Sequence, residues 1–277
     1  MMKETLILPS KSGKDILMDV RGPEVRVDCP VIVFVHGFKG YKDWGAFNLV
    51  ADFFAEKGFV FVKFNLAWNG TTPEDPTEFT DLDSFGNNNI SKELLDIDTV
   101  LDYVHGGKID GVDTENITLM GHSRGGGDVI LKTAEDNRVS RAITWATISR
   151  VTNFLSRSVL EEMDLKGHVY ILNGRTMQEM PIYRQFVEDL VQNAETLDIE
   201  KAMGEIRVPV LLCHGTDDEA VSASASELLY EDSSCAELFM LEGANHTFGM
   251  KEPWTEKELP DLTKQLVERC LEFIEKG

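Results

Sequence analysis

Ser123 sits in the pentapeptide Gly121-His122-Ser123-Arg124-Gly125, which follows the apolar run Ile117-Thr118-Leu119-Met120 and precedes a helix-like stretch from Gly126 to Glu135. A serine between two glycines at a strand-to-helix turn is the arrangement of a nucleophile elbow. The turn holds the serine at strained dihedrals, and a flanking side chain larger than hydrogen collides with the neighbouring backbone. A serine hydroxyl is a weak nucleophile at neutral pH, so attack requires a base within hydrogen-bond reach and a group that orients the base. His246, in Gly243-Ala244-Asn245-His246 just past the apolar run Ala236 to Leu241, can be that base. Asp217 and Asp218, in His214-Gly215-Thr216-Asp217-Asp218 past the run Val208 to Cys213, can orient it; being adjacent, only one of the two can face the imidazole. All three groups lie just beyond a strand, in the chain order serine, aspartate, histidine.

That order, together with His36-Gly37-Phe38 early in the chain and Gly126 extending the central motif, resembles the α/β-hydrolase superfamily. Within it, the chain resembles serine esterases, close to the dienelactone-hydrolase-like and cinnamoyl (feruloyl) esterase branch. The resemblance implies a mostly parallel central sheet flanked by helices on both faces, with a small helical cap insertion. It also implies roles. The pattern of His-Gly, two further residues, Asp, and Val three positions later is met by His214, Gly215, Asp218 and Val221, and so selects Asp218 over Asp217; Ser222 stands where proline is usual. The oxyanion hole is expected from the backbone N–H groups of Phe38 and Arg124. His36 and His122 are expected to fix loop geometry, and the Arg124 side chain to pair with a surface carboxylate or reach a negative group on the substrate. No metal or organic cofactor is implied. No His/Cys cluster has zinc-ligand spacing, and no Gly-rich loop carries a P-loop or dinucleotide fingerprint.

Composition narrows the class. The 277 residues suit one α/β domain with an insertion. The 48 acidic against 27 basic residues give a net charge of −21. The carboxylates are scattered, so they read as a solvated surface whose field repels nucleic acid and anionic membranes. Cys29, Cys213, Cys235 and Cys270 show no paired spacing, as expected of reduced thiols in a cytoplasmic protein. Neither a signal peptide nor a spanning apolar block is visible.

The positioning elements follow from periodicity. Residues 4–9 and 15–21 read as two short strands, Pro30 to Val35 as a buried strand, Trp44 to Lys57 as a helix with Phe47, Val50, Ala51 and Phe54 on one face, and Phe59 to Leu66 as the next strand. A polar loop spans Ala67 to Asn89. A helix resumes with Ser91 as its expected N-cap and Leu94, Ile97, Val100, Leu101 and Val104 on its apolar face. Ile117 to Met120, Ala142 to Ala146, Val208 to Cys213 and Ala236 to Leu241 complete the strands, with helices after Ser123, Ser222 and Glu256. Strand alternating with helix argues for a parallel α/β sheet.

The rhythm breaks between Thr147 and Ile206, where only helix-like stretches such as Val151–Asp164 and Ile182–Asn193 are evident. Residues 1–147 and 206–277 are therefore expected to form the core domain and residues 148–205 the cap. Phe154, Leu155, Met177, Met180, Tyr183 and Phe186 are the apolar candidates for the cap's inner, substrate-facing surface. Trp254, near the C-terminus, could serve a homodimer contact or anchor the last helix.

The chemistry expected is two-step acyl transfer to a small-molecule ester with a small or aromatic acyl group. Ser123 attacks, His246 moves the proton and Asp218 holds the imidazole. A peptidase, thioesterase or acyltransferase on the same fold is the alternative within serine chemistry. A non-catalytic ligand-binding homologue is the alternative outside it.

Overall fold

The chain begins with an antiparallel hairpin, β1 (Met2–Pro9) and β2 (Asp15–Gly22), closed by a turn in which Gly13 N–H donates to Ser10 O at 3.0 Å. There follow β3 (Cys29–Val35), α1 (Phe47–Glu56), β4 (Val60–Phe64), α2 (Leu82–Gly86), α3 (Ile90–His105), β5 (Val112–His122), α4 (Arg124–Glu135) and β6 (Val139–Trp145). An insertion carries α5 (Arg157–Lys166), β7 (His168–Asn173), β8 (Gln178–Tyr183), α6 (Gln185–Gln192) and α7 (Ile199–Glu205). The chain then completes its sheet with β9 (Val210–Gly215), α8 (Ser224–Glu231), β10 (Ala236–Leu241) and α9 (Asp261–Lys276). This computed structural model describes residues 1–276, the side chains of Asn153 and Phe154 excepted.

Eight strands form one sheet in the order β1-β2-β4-β3-β5-β6-β9-β10. From β4 to β10 every neighbouring pair is parallel, and β1 and β2 add an antiparallel edge. Strand alternation divides the core into two layers. Val31, Val33, Val35, Leu119 and Leu212 face one way, onto α3, α4 and α8. Ile32, Phe34, Met120, Leu211 and Cys213 face the other, onto α1 and α9. Both faces are buried, which explains why these strands are continuous apolar runs. The four cysteines are free thiols.

Three local expectations are corrected. The N-cap of α3 is Asn89, whose extended backbone lets its side chain accept from Lys92 N–H at 3.0 Å. Ser91 lies inside the first turn, and its hydroxyl donates to Asp189 of α6 at 2.5 Å. The insertion is not purely helical: β7 and β8 pair antiparallel from His168↔Tyr183 to Asn173↔Gln178. Its sequence signal is the alternation of Val169 and Ile171 before Asn173-Gly174, a turn-forming dipeptide. Finally, α7 packs on α4, with Ile199 against Gly127, so the last part of residues 148–205 belongs to the helical layer over the sheet.

The polar segment 67–89 is more ordered than a loop. Asp81 caps α2 by accepting from Ser84 N–H at 3.0 Å, and Asp96 accepts from Ala67 N–H at 2.7 Å. Phe79 and Phe85 from this segment, Tyr41 and Met180 of β8 form a small third core. Trp254 packs against the layer under α9 and donates its indole N–H to Glu258 O at 3.1 Å, so the ring anchors its own chain.

Candidate active site

The carboxyl ends of β5, β9 and β10 meet at one sheet edge because their strands are parallel and adjacent through β6. Ser123 stands between β5 and α4 with φ +57° and ψ −121°, a conformation that side-chain-bearing residues seldom occupy. The turn is held by Ser123 N–H donating to Trp145 O at 2.8 Å. Glycine is required beside it. A Cβ on Gly125 would lie 2.5 Å from His36 O and 2.6 Å from Val35 O, both fixed backbone atoms. A Cβ on Gly37 would lie 2.9 Å from His122 O and from Ser123 Cβ.

The expected partners converge. Ser123 Oγ–H lies 3.0 Å from His246 Nε2, and His246 Nδ1–H donates to Asp218 Oδ2 at 2.8 Å. Asp218 also accepts Ala220 N–H at 2.8 Å and Val221 N–H at 2.9 Å through Oδ1, while the buried His214 Nε2–H lies 3.1 Å from Oδ2. Burial alone would raise the Asp218 pKa, but the hydrogen bonds from His214, His246 and Val221 N–H outweigh it and hold the carboxyl well below its usual range. Asp217 turns away: its N–H donates to Ala244 O at 3.0 Å and its carboxylate accepts only from Thr216 Oγ, at 3.3 Å, among the described residues.

His122 and His36 are structural supports. Burial, and then the neighbouring His246, lower the His122 pKa to about 3. Its neutral Nε2–H donates to His246 O at 2.9 Å, fixing the backbone that carries the base. Burial lowers His36 to about 4, so its Nδ1–H donates to Gly37 O at 2.9 Å while Nε2 accepts from Leu66 N–H at 3.1 Å. The loop from Phe38 onward is tied down further by a buried charge cluster: Lys42 Nζ lies 2.8 Å from Asp19 and 2.5 Å from Asp43, and Lys63 bridges the same two carboxylates.

Phe38 follows Gly37 directly. Arg124, as the first residue of α4, has an N–H that the helix itself cannot satisfy. The Arg124 guanidinium lies 4.3 Å from the centre of the Phe38 ring and donates to Glu93 at 2.6 Å. Glu93 is fully buried, which corrects the expectation of a surface partner. Asp128, one turn along α4, faces Glu93. Burial and then the Glu93 charge push its pKa far above the usual carboxylate range, which favours its neutral form beside the Glu93–Arg124 pair.

Ser123 and His246 open onto two cavities. The larger, about 730 Å³, is walled by Ile148, Val151 and Ile171 on one side and by Val221, ahead of α8, and Ala225 and Leu228, on it, on the other. The smaller, about 230 Å³, runs past Gly40, Trp44 and Phe47 to Asn173 and Arg175 at the β7–β8 turn. Of the cap residues expected to face substrate, none lines the larger cavity among the described residues. Met180 is fully buried in the third core, Phe186 is buried in the main one, and Met177 is 68% exposed near the hairpin tip. The Tyr183 ring covers Gly86 and its hydroxyl donates to Asp83 at 3.2 Å. The Phe154 side chain lies outside the described residues. Ile148, Val151, Ile171 and Leu228 are the wall residues that sequence reasoning missed. Ile148 and Val151 sit on the connection after β6, whose course no periodicity encodes, while Ile171 on β7 and Leu228 on α8 face the cleft only because of where those elements are placed.

Residues 32–256 match the Alpha/beta hydrolase family. A segment of 122 residues, 44% of this chain, is 26% identical to the quorum-quenching protein AidA of Acinetobacter baumannii (strain MDR-ZJ06), of which it spans 36%. The fold is similar to Est1E from Butyrivibrio proteoclasticus, with 21% identity, a TM-score of 0.67, and coverage of 98% of this chain and 99% of that one. It is also similar to the α/β hydrolase GrgF from Penicillium sp. sh18, with 15% identity, a TM-score of 0.73, and coverage of 100% and 99%. Among the described residues no helix is long and apolar enough to cross a membrane.

Proposed function

The chain belongs to the alpha/beta hydrolase family, and from that premise we propose that it is a serine hydrolase cleaving carboxylic esters through an acyl-enzyme. The observation that carries the proposal is the hydrogen-bonded chain Ser123–His246–Asp218, at 3.0 and 2.8 Å, with the serine raised on its strained turn. Ser123 Oγ attacks the ester carbonyl as His246 Nε2 takes its proton. Asp218 keeps the proton on Nδ1 before attack and faces the imidazolium afterwards. Charge developing on the carbonyl oxygen is met by the N–H groups of Phe38 and Arg124, brought together by the close approach of Gly37 to Ser123. His246 then protonates the leaving alcohol, and the same imidazole activates the water that releases the acid.

The β7–β8 hairpin and residues 148–151 act as the cap over this site, and the two cavities flanking Ser123 take the acyl and alcohol parts of a small ester. The similarity to Est1E, which has also been captured with ferulic acid bound, supports small or aromatic acyl groups. The test is turnover of p-nitrophenyl acetate, p-nitrophenyl butyrate and methyl ferulate by wild type and Ser123→Ala. Turnover that falls on the order of 10⁴-fold in the variant is expected. Absence of Ser123-dependent turnover of any ester in the panel would overturn the proposal.

A further inference from the structure

Charge is distributed against the grain of this molecule at one place. The chain has 48 acidic and 27 basic residues, yet among the described residues no Asp or Glu lines either cavity beside Ser123. Four cationic side chains do: Lys39, Arg124 and Arg150 in the larger, Lys39 and Arg175 in the smaller. Three of them have carboxylate partners behind the wall. Arg124 donates to Glu93 at 2.6 Å, Arg150 donates to both oxygens of Glu200 at 2.7 and 3.1 Å, and Arg175 lies 3.8 Å from Glu78.

Lys39 is different. Among the described residues it makes no ion pair. Its ammonium donates only to Leu172 O, at a long 3.4 Å, and sits 5.7 Å from the Phe38 ring centre. It is half-buried, and that burial lowers its pKa from the ordinary lysine value. Its backbone holds φ +57°, a region that lysine seldom occupies and that Gly, Asn or Asp would fill more easily. A half-buried cation without a counter-charge is unfavourable in itself. Here it is placed on a strained backbone, one residue past Phe38, where both cavities meet.

Resting on the esterase reading above, we propose that Lys39 anchors a carboxylate carried by the substrate, and that the preferred substrates are esters bearing a free carboxylate on the acyl or the alcohol part. A single uncompensated cation matches a single negative charge, which favours a carboxylate over a phosphate dianion. The surrounding −21 charge acts against long-range capture of anions, so discrimination arises from contact inside the cleft. Leu172 O gives the ammonium a resting acceptor that a substrate carboxylate would replace with a charge-assisted hydrogen bond.

The test measures kcat/KM within two matched pairs: monoethyl adipate against ethyl hexanoate, and 4-butanoyloxybutanoate against butyl butanoate. In each pair a carboxylate replaces a methyl group. Wild type is expected to turn over the anionic member at least as well as the neutral one in one pair. Lys39→Asn, which removes the charge while suiting the positive φ, is expected to lower that ratio about tenfold or more, and Lys39→Arg to keep it. A smaller fall in Lys39→Asn in both pairs overturns the proposal. Should Lys39→Asn fail to fold, the wild-type ratio decides: it falls between about 20 mM and about 500 mM NaCl if the contact is ionic, and a flat ratio overturns the proposal. Ser123-dependent turnover of neutral esters alone removes the anion site and leaves the esterase reading intact. Turnover of no ester in either pair removes both.

Discussion

Replacing Asp218 by Asn separates its role from that of its neighbour. The carboxylate accepts from Ala220 and Val221 N–H through Oδ1, and faces the Nδ1–H of His246 and the Nε2–H of His214 through Oδ2. An asparagine that keeps its oxygen on the two loop N–H groups must turn its NH₂ toward both imidazoles. Donor then faces donor. His246 relieves the clash by moving its proton to Nε2, the atom that must accept from Ser123. The variant loses both the reactive tautomer and the charge facing the imidazolium. In triads of this kind the combined effect is about 10³- to 10⁴-fold in kcat, or about 4–5.5 kcal/mol of barrier. Asp217→Asn removes only an exposed carboxylate with one long contact at 3.3 Å, and should change kcat less than about threefold. Hydrolysis of p-nitrophenyl butyrate, with thermal melts to verify folding, reads both. A folded Asp218→Asn within tenfold of wild type, or a larger loss in Asp217→Asn, would refute the assignment of the orienting acid.

Gly125→Ala places its Cβ 2.5–2.6 Å from two fixed carbonyl oxygens, so the elbow must shift; activity should fall at least about 100-fold, checked by kcat on the same ester. Glu93→Gln strands the Arg124 cation in a buried site and should lose about 3 kcal/mol in urea unfolding, whereas Asp128→Asn, replacing a group whose neutral form is favoured, should lose less than about 1 kcal/mol. Acid stability has a defined window. Although burial alone would raise the Asp19 pKa, the charges of Lys63 and Lys42 lower it from 3.8 to about 2, and Asp43 is lowered in the same direction. A carboxyl depressed on folding stabilises above its unfolded pKa and loses that contribution as pH falls through the folded value. About 1–2 kcal/mol from Asp19 should therefore vanish between pH 4 and pH 2, and urea midpoints across that range should show it, with a reduced slope in Asp19→Asn.

The sheet was legible because each parallel strand must be apolar on both faces. Val31 to Val35 and Val210 to Cys213 are recognisable on that ground without any knowledge of their neighbours, while the edge strand Ala236 to Leu241 is only partly buried and shows through its apolar run from Leu238 to Leu241. The elbow was legible because Gly121 and Gly125 answer to backbone contacts that only glycine permits. The cap was not. Its hairpin is six residues a side and only partly buried, with Tyr170 and Leu172 exposed, so its alternation competes with the helical spacing of α5 and α6 on either side. Apolarity also misled the choice of wall residues. Met180 and Phe186 are large and apolar because they support the cap from beneath, while the cleft is walled by Ile148, Val151 and Leu228. The buried Glu93–Arg124 pair was hidden for a related reason. Glu93 lies in the first turn of α3, where an acidic residue is ordinary, and only the packing of α3 on α4 turns it inward.

The decisive measurement is reaction with a fluorophosphonate probe followed by peptide mass mapping. One adduct per chain on Ser123 is predicted, absent in Ser123→Ala and formed at least about 100-fold more slowly in His246→Ala. An unlabelled wild type, or an adduct on another serine of the cleft such as Ser149 or Ser222 with ester turnover intact in Ser123→Ala, would contradict it.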